Sequence, residues 1–282
     1  MNKNFIRIIP KLDIKNGQLI KGINLEGLRV LGNPYEFANL YSKHGADEIC
    51  YVDNVATLYG TNNLNKFIEK TAKNLRIPLS VGGGLRTLKD IEKSLVSGAD
   101  KVCVNSAVVS NLNFLKSSVK LFGSSTIAVI IECIKFKNKY FISTSNGRDL
   151  IYLDPIDWAK KIEDCGAGEI FLTSVNNEGL KEGFDTDLVR NVSKKVNIPV
   201  VAHGGAGSFQ NILNVIKKTN ITGVSIASFF HYDYINFFKI KKGKIGNYEF
   251  LETIKKKHKK SFNKILLLKK FLKKNKINVR LS

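Results

Sequence analysis

Short runs of β-branched and other apolar residues alternate along this chain with longer amphipathic stretches. Strands that alternate with helices are typical of a parallel sheet. Eight runs predict strands: Ile6–Leu12, Glu48–Val52, Leu79–Val81, Lys101–Val104, Thr126–Ile131, Glu169–Leu172, Val200–Ala202 and Gly223–Ile226. Three of the stretches between them, NPYEFANLYSKHG, TLKDIEKSLVSG and DPIDWAKKIEDCG, predict helices that end at a glycine.

The chain also repeats itself. GADEICYV at Gly45 recurs as GAGEIFLT at Gly166, and IPLSVGGG at Ile77 recurs as IPVVAHGG at Ile198. A third pair, KVCVNS and GVSIAS, recurs in the same order at nearly the same offset. Two similar halves of four strand–helix units close naturally into a (β/α)8 TIM barrel, an α/β fold. We therefore expect residues 1–282 to form a single domain.

Composition limits the cellular location and the kinds of site that we expect for this protein. The 282 residues contain no apolar run of the roughly 18 residues that a membrane span needs, and the N-terminus lacks a signal-peptide apolar core. The four cysteines lie far apart, without a C-x-x-C pair. These features predict a cytoplasmic protein with reduced thiols, no membrane span and no metal site.

The net charge of +21 is concentrated near the C-terminus. Residues 239–282 carry +14 of it, and the rest of the chain is only mildly basic. Compositional drift of an A+T-rich genome accounts best for this lysine excess. An acidic partner or membrane surface stays open as an alternative, and the charge distribution argues against a nucleic-acid partner.

The residues that follow the predicted strands form a polar, glycine-rich rim. Active sites of (β/α)8 barrels lie at these C-terminal strand ends. The rim residues, in chain order, are Asp13, Asp53, Gly82–Gly84, Asn105, Ser106, Glu132, Thr173, Ser174, His203–Gly207, Ala227 and Ser228.

Two glycine loops of this rim predict phosphate binding, because glycine lets backbone N–H groups approach an anion closely. The first cradle contains Gly83, Gly84, Asn105 and Ser106. The second cradle, in the other half, contains Gly204, Gly205, Ala227 and Ser228. Two cradles on opposite sides of one rim predict a substrate with a phosphate at each end. The alternative is that the glycines only form tight turns.

Two carboxylates, Asp13 and Glu132, hold matching places in the two halves and are the candidate catalytic acid and base. Either could instead cap a loop or pair with a lysine such as Lys21. Asp53 is expected to bind substrate or orient a neighbour, and Thr173 and Ser174 are expected to contact substrate.

Four charged residues lie at strand starts, at the opposite end of the predicted barrel. Alternation along the strands could point Arg7, Glu48, Lys101 and Glu169 inward, where they would form a salt-bridged ring. The alternative is a set of solvated charges on the bottom face.

These residues together resemble the cyclase subunit of imidazole glycerol phosphate synthase, a barrel of histidine biosynthesis. The resemblance covers residues 5–234 and 265–280 and rests on RIIPKLDIKNGQLIKGINLEGLR, GADEI, VGGGLRTLKDIEKSLVSGADKVCVNSAVV, GAGEIFLTSVNNEG, GFDTDLV, HGGAG and KKFLKKNKINVR. It implies that residues 235–264 are a basic insertion and that residues 265–282 are the final helix and C-terminus.

The resemblance also implies a mechanism. A glutaminase docks on the barrel floor, and its ammonia passes the charged ring as a gate and travels through the barrel. At the mouth, the ammonia reacts with a bis-phosphorylated formimino-ribulosyl aminoimidazole carboxamide ribotide. The cyclase products are imidazole glycerol phosphate and aminoimidazole carboxamide ribotide. Asp13 matches a catalytic aspartate, and Lys21 lies in a mobile, substrate-binding loop. No metal or organic cofactor is implied.

Three departures from the family pattern bear on function. Glu132 stands where the family has a second aspartate, and His203 stands where it has a serine. Asn176–Gly179 replaces an Asp-rich loop. Some relatives of this cyclase act instead with a glutaminase-like partner and an amidotransferase in the amidination of nucleotide sugars for surface polysaccharides. IPKLDIK, LEGLRVLG and Glu132 resemble that branch, and this role is the first alternative to the cyclase. A non-catalytic scaffold barrel is the second.

Overall fold

A closed barrel of eight parallel strands forms the centre of the computed structural model, which describes residues 5–54, 65–238, 247–257 and 262–281. Its strands are β1 (Arg7–Lys15), β4 (Ile49–Asp53), β5 (Leu79–Gly82), β6 (Lys101–Val104), β7 (Ile127–Phe136), β10 (Glu169–Ser174), β11 (Val200–His203) and β12 (Gly223–Ile226). The barrel closes in the order β10–β11–β12–β1–β4–β5–β6–β7 and back to β10. The predicted (β/α)8 fold is confirmed.

Four further strands lie outside the barrel wall and were not predicted. They are β2 (Gln18–Ile23), β3 (Glu26–Gly32), β8 (Lys139–Thr144) and β9 (Asp149–Ile151). β2 pairs antiparallel with β1, and β8 pairs antiparallel with β7, so both barrel strands extend beyond the wall. The predicted ends of these two strands were therefore wrong, and Asp13 and Glu132 lie within strands rather than after them.

The helices of the described residues surround this barrel. The three predicted helices are confirmed as α1 (Pro34–Lys43), α3 (Leu88–Val96) and α6 (Pro155–Asp164), and each begins after a side-chain cap. The others are α2 (Asn65–Ala72), α4 (Ser106–Ser110), α5 (Leu112–Phe122), α7 (Thr186–Lys195), α8 (Phe209–Lys218), α9 (Ser228–Tyr234), α10 (Tyr248–Lys257) and α11 (Lys264–Lys274).

The repeat in the sequence is also a repeat in backbone geometry. Gly83 and Gly204 have φ angles of +98° and +96°. A Cβ on Gly83 would lie 2.3 Å from the Asp53 carbonyl oxygen, and one on Gly204 would lie 2.6 Å from that of Ser174. Both pairs are separated by the same offset along the chain, so each half builds its glycine loop against the preceding strand end in the same way.

The C-terminal part of the chain is tied to the barrel. Lys269 of α11 lies 2.6 Å from Asp47, and Ile6 N–H donates to the Asn278 carbonyl at 2.8 Å. Within the predicted insertion, residues 239–246 and 258–261 lie outside the described residues, as does Ser282. The described remainder includes a 3-10 turn at Ile235–Phe237, helix α10 and the first residue of α11. That residues 235–264 are an insertion stays a prediction.

Two apolar layers hold the barrel together. The larger lies between strands and helices, and the smaller fills the barrel interior. This inner cluster consists of Ile9, Cys50, Val52, Cys103, Ala128, Ile130, Phe171 and Val201. It separates the N-terminal strand ends, here called the floor, from the C-terminal ends, called the mouth. No helix in the described ranges is long and apolar enough to cross a membrane.

Candidate active site

Strand β1 places a buried ion pair at the mouth. Successive residues of a strand face opposite sides, so Ile9, Lys11 and Asp13 all point into the barrel. Lys11 and Asp13 are 6% and 2% exposed, and the Lys11 ammonium contacts Asp13 Oδ1. Sequence analysis named Lys21 as a possible partner of Asp13, but the structure gives that place to Lys11.

Register places Asp13 and Glu132 at equivalent positions in the two halves. Asp13 lies opposite Val52 and Glu132 lies opposite Thr173, which is the repeat of Val52. By the same register, Lys11 is the counterpart of Ile130. A lysine at an inward position that is apolar in the other half was a readable signal, and sequence analysis missed it.

Glu132 has the properties of a proton donor near neutral pH. Its Oε2 accepts a hydrogen bond from Gly147 N–H at 3.0 Å. Burial raises the pKa of the Glu132 carboxyl to about 7, and the negative charge of Asp13 adds to this rise. Lys11, the Gly147 N–H and Asn105 act in the opposite direction and lower this pKa. The carboxyl therefore exchanges a proton readily at physiological pH.

An open cleft of about 420 Å³ covers the first cradle. Its lining brings together most of the rim residues from the first half, including Asp53, Gly83, Gly84, Asn105 and Ser106, with Glu132. Ala227 lies 122 residues after Asn105 and is its equivalent in the second half. Each residue precedes a helix, and their φ angles are similar, −141° for Asn105 and −114° for Ala227. The cleft is roomy enough for a small phosphorylated ligand, and Glu132 forms part of its wall.

The second cradle is nearly closed. Gly204, Gly205, Ala227 and Ser228 line a space of only about 10 Å³, together with His203 and Glu178. Thr173 and Ser174 are buried below this loop, and the Ser174 hydroxyl donates to Asn177 Oδ1 at 2.8 Å. The two cradles thus share their backbone design and differ in the room they leave for a ligand.

A buried charge cluster fills the space beside the second cradle. Lys21 on β2 lies 2.6 Å from Glu178 Oε2, and His203 Nε2 lies 3.3 Å from Glu178 Oε1. Burial favours the neutral form of Glu178, but Lys21 and His203 hold the pKa of this carboxyl well below its usual range. His203 Nδ1 lies 2.9 Å from the Ser225 carbonyl oxygen. The structure therefore places Lys21 against Glu178 and not against Asp13.

The four floor charges form one connected ring. Arg7 contacts Glu48 at 2.7 Å and also Glu169, while Lys101 contacts Glu169 at 2.5 Å and Glu48 at 3.5 Å. The Ser80 hydroxyl donates to Glu48. We call Arg7, Glu48, Lys101 and Glu169 the floor ring. The two glutamates are buried, whereas the Arg7 side chain is 28% exposed, so the ring closes the floor and still meets solvent.

Within the described ranges, no group of three or more His, Cys, Asp and Glu side chains is placed to hold a metal ion.

Comparison with known proteins agrees with this architecture. A model of the family described as histidine biosynthesis protein matches residues 7–236. The chain belongs to this family. The imidazole glycerol phosphate synthase subunit HisF of Legionella pneumophila is 47% identical over 206 residues, which are 73% of this chain and 97% of that relative.

Two further members of the histidine biosynthesis family carry the same name. The subunit HisF of Bacillus cereus (strain Q1) is 43% identical over 227 residues, 80% of this chain and 90% of that relative. The subunit HisF of Lactococcus lactis subsp. cremoris (strain MG1363) is 41% identical over 243 residues, 86% of this chain and 94% of that relative. Similarity therefore extends over nearly the whole length of these relatives.

Proposed function

We propose that this chain is the cyclase subunit of imidazole glycerol phosphate synthase in histidine biosynthesis. The observation that carries the proposal is the pair of carboxylates, Asp13 and Glu132, at equivalent positions of one barrel mouth. A glycine-loop cradle lies beside each half of that mouth. Membership of the histidine biosynthesis family and similarity to three proteins named HisF support the same reaction.

The reaction uses ammonia and a bis-phosphorylated substrate. The two cradles hold the phosphates of the formimino-ribulosyl aminoimidazole carboxamide ribotide, so its ketone lies between Asp13 and Glu132. Ammonia adds at this carbonyl, and ring closure with cleavage gives imidazole glycerol phosphate and aminoimidazole carboxamide ribotide. Because the second cradle is nearly closed and Glu178 and His203 line it, these side chains must move aside before the second phosphate enters.

A glutaminase partner supplies the ammonia. We place its docking face at the floor, because the floor ring lies there and Arg7 and Lys101 are partly exposed. Ammonia released at this face passes the floor ring and moves along the apolar inner cluster, which favours neutral ammonia over ammonium.

The direct test is turnover by the purified chain. We expect imidazole glycerol phosphate from the ribulosyl substrate with free ammonium alone, and from glutamine only when a glutaminase is added. Asp13→Asn should abolish both activities. Absence of product with ammonium, from a folded protein at several pH values, would reject the cyclase.

A second candidate is the ammonia-supplying subunit for amidination of a nucleotide sugar. Two observations favour it: the Lys11 ammonium contacts the Asp13 carboxylate, and the Glu178 carboxylate lines the second cradle, where it would repel a phosphate. This role needs the floor ring and the inner cluster but not the cyclase site. Growth of a histidine auxotroph that carries the gene distinguishes the two, because only a cyclase restores growth without histidine.

A further inference from the structure

Helix α10 packs against hairpin β2–β3 and lies beyond residues 7–236, the range that the family model matches. The side-chain amide of Asn247, directly before this helix, donates to the Val30 carbonyl of β3 at 2.8 Å. The Arg29 guanidinium of the same strand lies 4.0 Å from the centre of the Phe250 ring. A hydrogen bond and a cation–π contact therefore join the start of α10 to neighbouring residues of β3.

Helix α10 is itself fixed to the outside of the barrel. Leu251 is fully buried, and the Phe250 ring lies 6.3 Å from the Tyr232 ring of α9, centre to centre. The Lys255 ammonium donates to the Phe238 carbonyl at 2.7 Å. These anchors belong to elements other than the hairpin, so α10 can hold β3 against the body of the barrel.

The part of the hairpin that α10 contacts also carries Lys21. Across the two strands, Arg29 lies opposite Lys21 and Val30 lies opposite Ile20. Lys21 is buried and lies 2.6 Å from Glu178 Oε2. The Glu178 carboxylate in turn lines the second cradle. A continuous line of contacts therefore runs from α10 through Arg29 and Lys21 to the second cradle.

The hairpin holds Glu178 in place, so the hairpin and the second cradle open together. The Asn24 N–H, at the tip of the hairpin, donates to the Glu178 carbonyl at 2.8 Å, and Lys21 contacts the side chain of the same glutamate. If Glu178 alone left the cradle, Lys21 would stay buried without its anionic partner, at a large cost in free energy. Opening of the cradle is therefore coupled to release of the hairpin from the loop after β10.

We propose that α10 is a clasp that holds hairpin β2–β3 closed and thereby sets how readily the second cradle admits a phosphate. The inference deepens the proposed function and rests on it, because it takes the second cradle as a phosphate site. The first cradle opens into a cleft of about 420 Å³, whereas the second leaves about 10 Å³. A substrate with a phosphate at each end therefore fills the first cradle before the clasp yields and the second cradle opens.

The contacts of the clasp are individually weak, which suits an element that has to release. Arg29 is exposed, and an exposed cation–π contact or a single hydrogen bond contributes little by itself. Loss of the Phe250 and Asn247 contacts together should shift the hairpin towards its open form about tenfold. A ligand that binds only the open form gains apparent affinity by the same factor, because the closed form no longer competes as strongly.

The first test is amide hydrogen exchange of β2 and β3. The double variant Asn247→Ala with Phe250→Leu removes both contacts, and we expect these amides to exchange about tenfold faster. Phe250→Tyr keeps an aromatic face beside Arg29 and should leave the exchange unchanged. Thr253→Ala is the matched control, because Thr253 is exposed on the same helix. If exchange of the α10 amides shows that the double variant unfolds this helix, each single variant takes its place and should accelerate exchange of the hairpin by a smaller factor.

A titration with inorganic phosphate completes the test, with the amide resonance of Gly205 reporting on the second cradle and that of Gly84 on the first. In the double variant, half-saturation at Gly205 should need about tenfold less phosphate, and half-saturation at Gly84 should not change. Unchanged exchange of the hairpin overturns the clasp, and faster exchange without tighter phosphate binding at Gly205 overturns its link to the second cradle. If the unmodified chain forms no imidazole glycerol phosphate, the cyclase proposal fails, whereas hydrogen exchange and phosphate binding still decide the role of α10.

Discussion

At the scale of single residues, Glu132 shows how one methylene can change a site. The longer acid reaches the Gly147 N–H at 3.0 Å, so its carboxyl belongs both to the mouth and to the turn between β8 and β9. An aspartate at this position could not reach both without a shift of the turn. The alternating pattern of the sequence located the residue, but its partner Gly147 comes from a hairpin that the pattern did not predict.

The raised pKa of Glu132 predicts how stability changes with pH. The folded pKa of about 7 lies above the ordinary value of 4.5, so between these pH values the folded state binds more protons than the unfolded state. Stability therefore falls as pH rises through this window and is constant above it. We expect Glu132→Gln, relative to the unmodified chain, to gain about 2 kcal/mol between pH 5 and pH 8.

Urea unfolding at both pH values measures this difference. Glu92→Gln is the control, because Glu92 is exposed on α3 and should show no such change. A difference between Glu132→Gln and the unmodified chain that does not vary with pH would show that Glu132 is not held in its neutral form.

The floor ring gives a second prediction at this scale. Arg7 donates to both buried glutamates, whereas Lys101 lies close to Glu169 and farther from Glu48. Loss of a partner leaves a buried carboxylate poorly compensated, which costs about 3–5 kcal/mol. We expect Arg7→Met to destabilise the chain by about 3 kcal/mol and Lys101→Met by about half as much.

Urea unfolding again provides the measurement, with the exposed Lys139→Met as the control for loss of a lysine. Equal losses for Arg7→Met and Lys101→Met would contradict the central place of Arg7 in the ring.

At the scale of elements, two hairpins cover the mouth of the barrel and contact each other. Hairpin β2–β3 follows β1, hairpin β8–β9 follows β7, and they meet where Asn146 Nδ2 donates to the Leu25 carbonyl at 3.1 Å. Arg148 also lies 3.1 Å from Glu26. Each hairpin therefore covers one side of the mouth, and their contact links the two halves above the carboxylates.

The buried pair between Lys21 and Glu178 fastens hairpin β2–β3 to the loop after β10. Removing one member leaves the other charge buried, so Lys21→Met and Glu178→Gln should each cost about 3–5 kcal/mol. The double variant should cost at least 2 kcal/mol less than the sum, because no unpaired charge then remains.

Unfolding energies of the four proteins in this cycle give the coupling, and hydrogen exchange of β2 and β3 reports whether the hairpin opens. Additive costs, or faster exchange outside the hairpin only, would show that this ion pair does not hold it.

Sequence patterns predicted the regular part of this architecture and missed its irregular part. Alternation and the repeat located the barrel strands, and they brought Asp13 and Glu132 to one mouth. The hairpins were missed because short strands such as β9 bury little apolar surface, although Asn16-Gly17 with φ angles of +49° and +72° was a readable turn signal. The pairing of Lys21 with Glu178 was missed because it joins residues far apart in sequence.

At the scale of the whole molecule, the two halves share a backbone but have different contents. The glycine loops, the strand registers and the floor glutamates repeat, as expected for a barrel made of two similar halves. The inward side chains do not repeat: Lys11 stands against Ile130, and the second cradle holds His203 and Glu178. Equivalent backbones therefore build the two glycine loops, and unequal side chains give the two sides of the mouth different charges and different room.

The shared backbone predicts equal costs for equivalent substitutions. Gly83→Ala and Gly204→Ala would each bring a Cβ within 2.3–2.6 Å of a backbone oxygen, at a φ near +97° that L-residues avoid. Overpacking and left-handed strain together should cost each variant about 3 kcal/mol. Gly123→Ala is the matched control: its φ is +87°, but nothing lies within 4 Å of its Cβ, so only the strain of about 1 kcal/mol remains. If thermal unfolding shows Gly204→Ala to be as mild as Gly123→Ala while Gly83→Ala is severe, the second half does not need the close loop packing that the first half needs, and the two cradles are not structural equivalents.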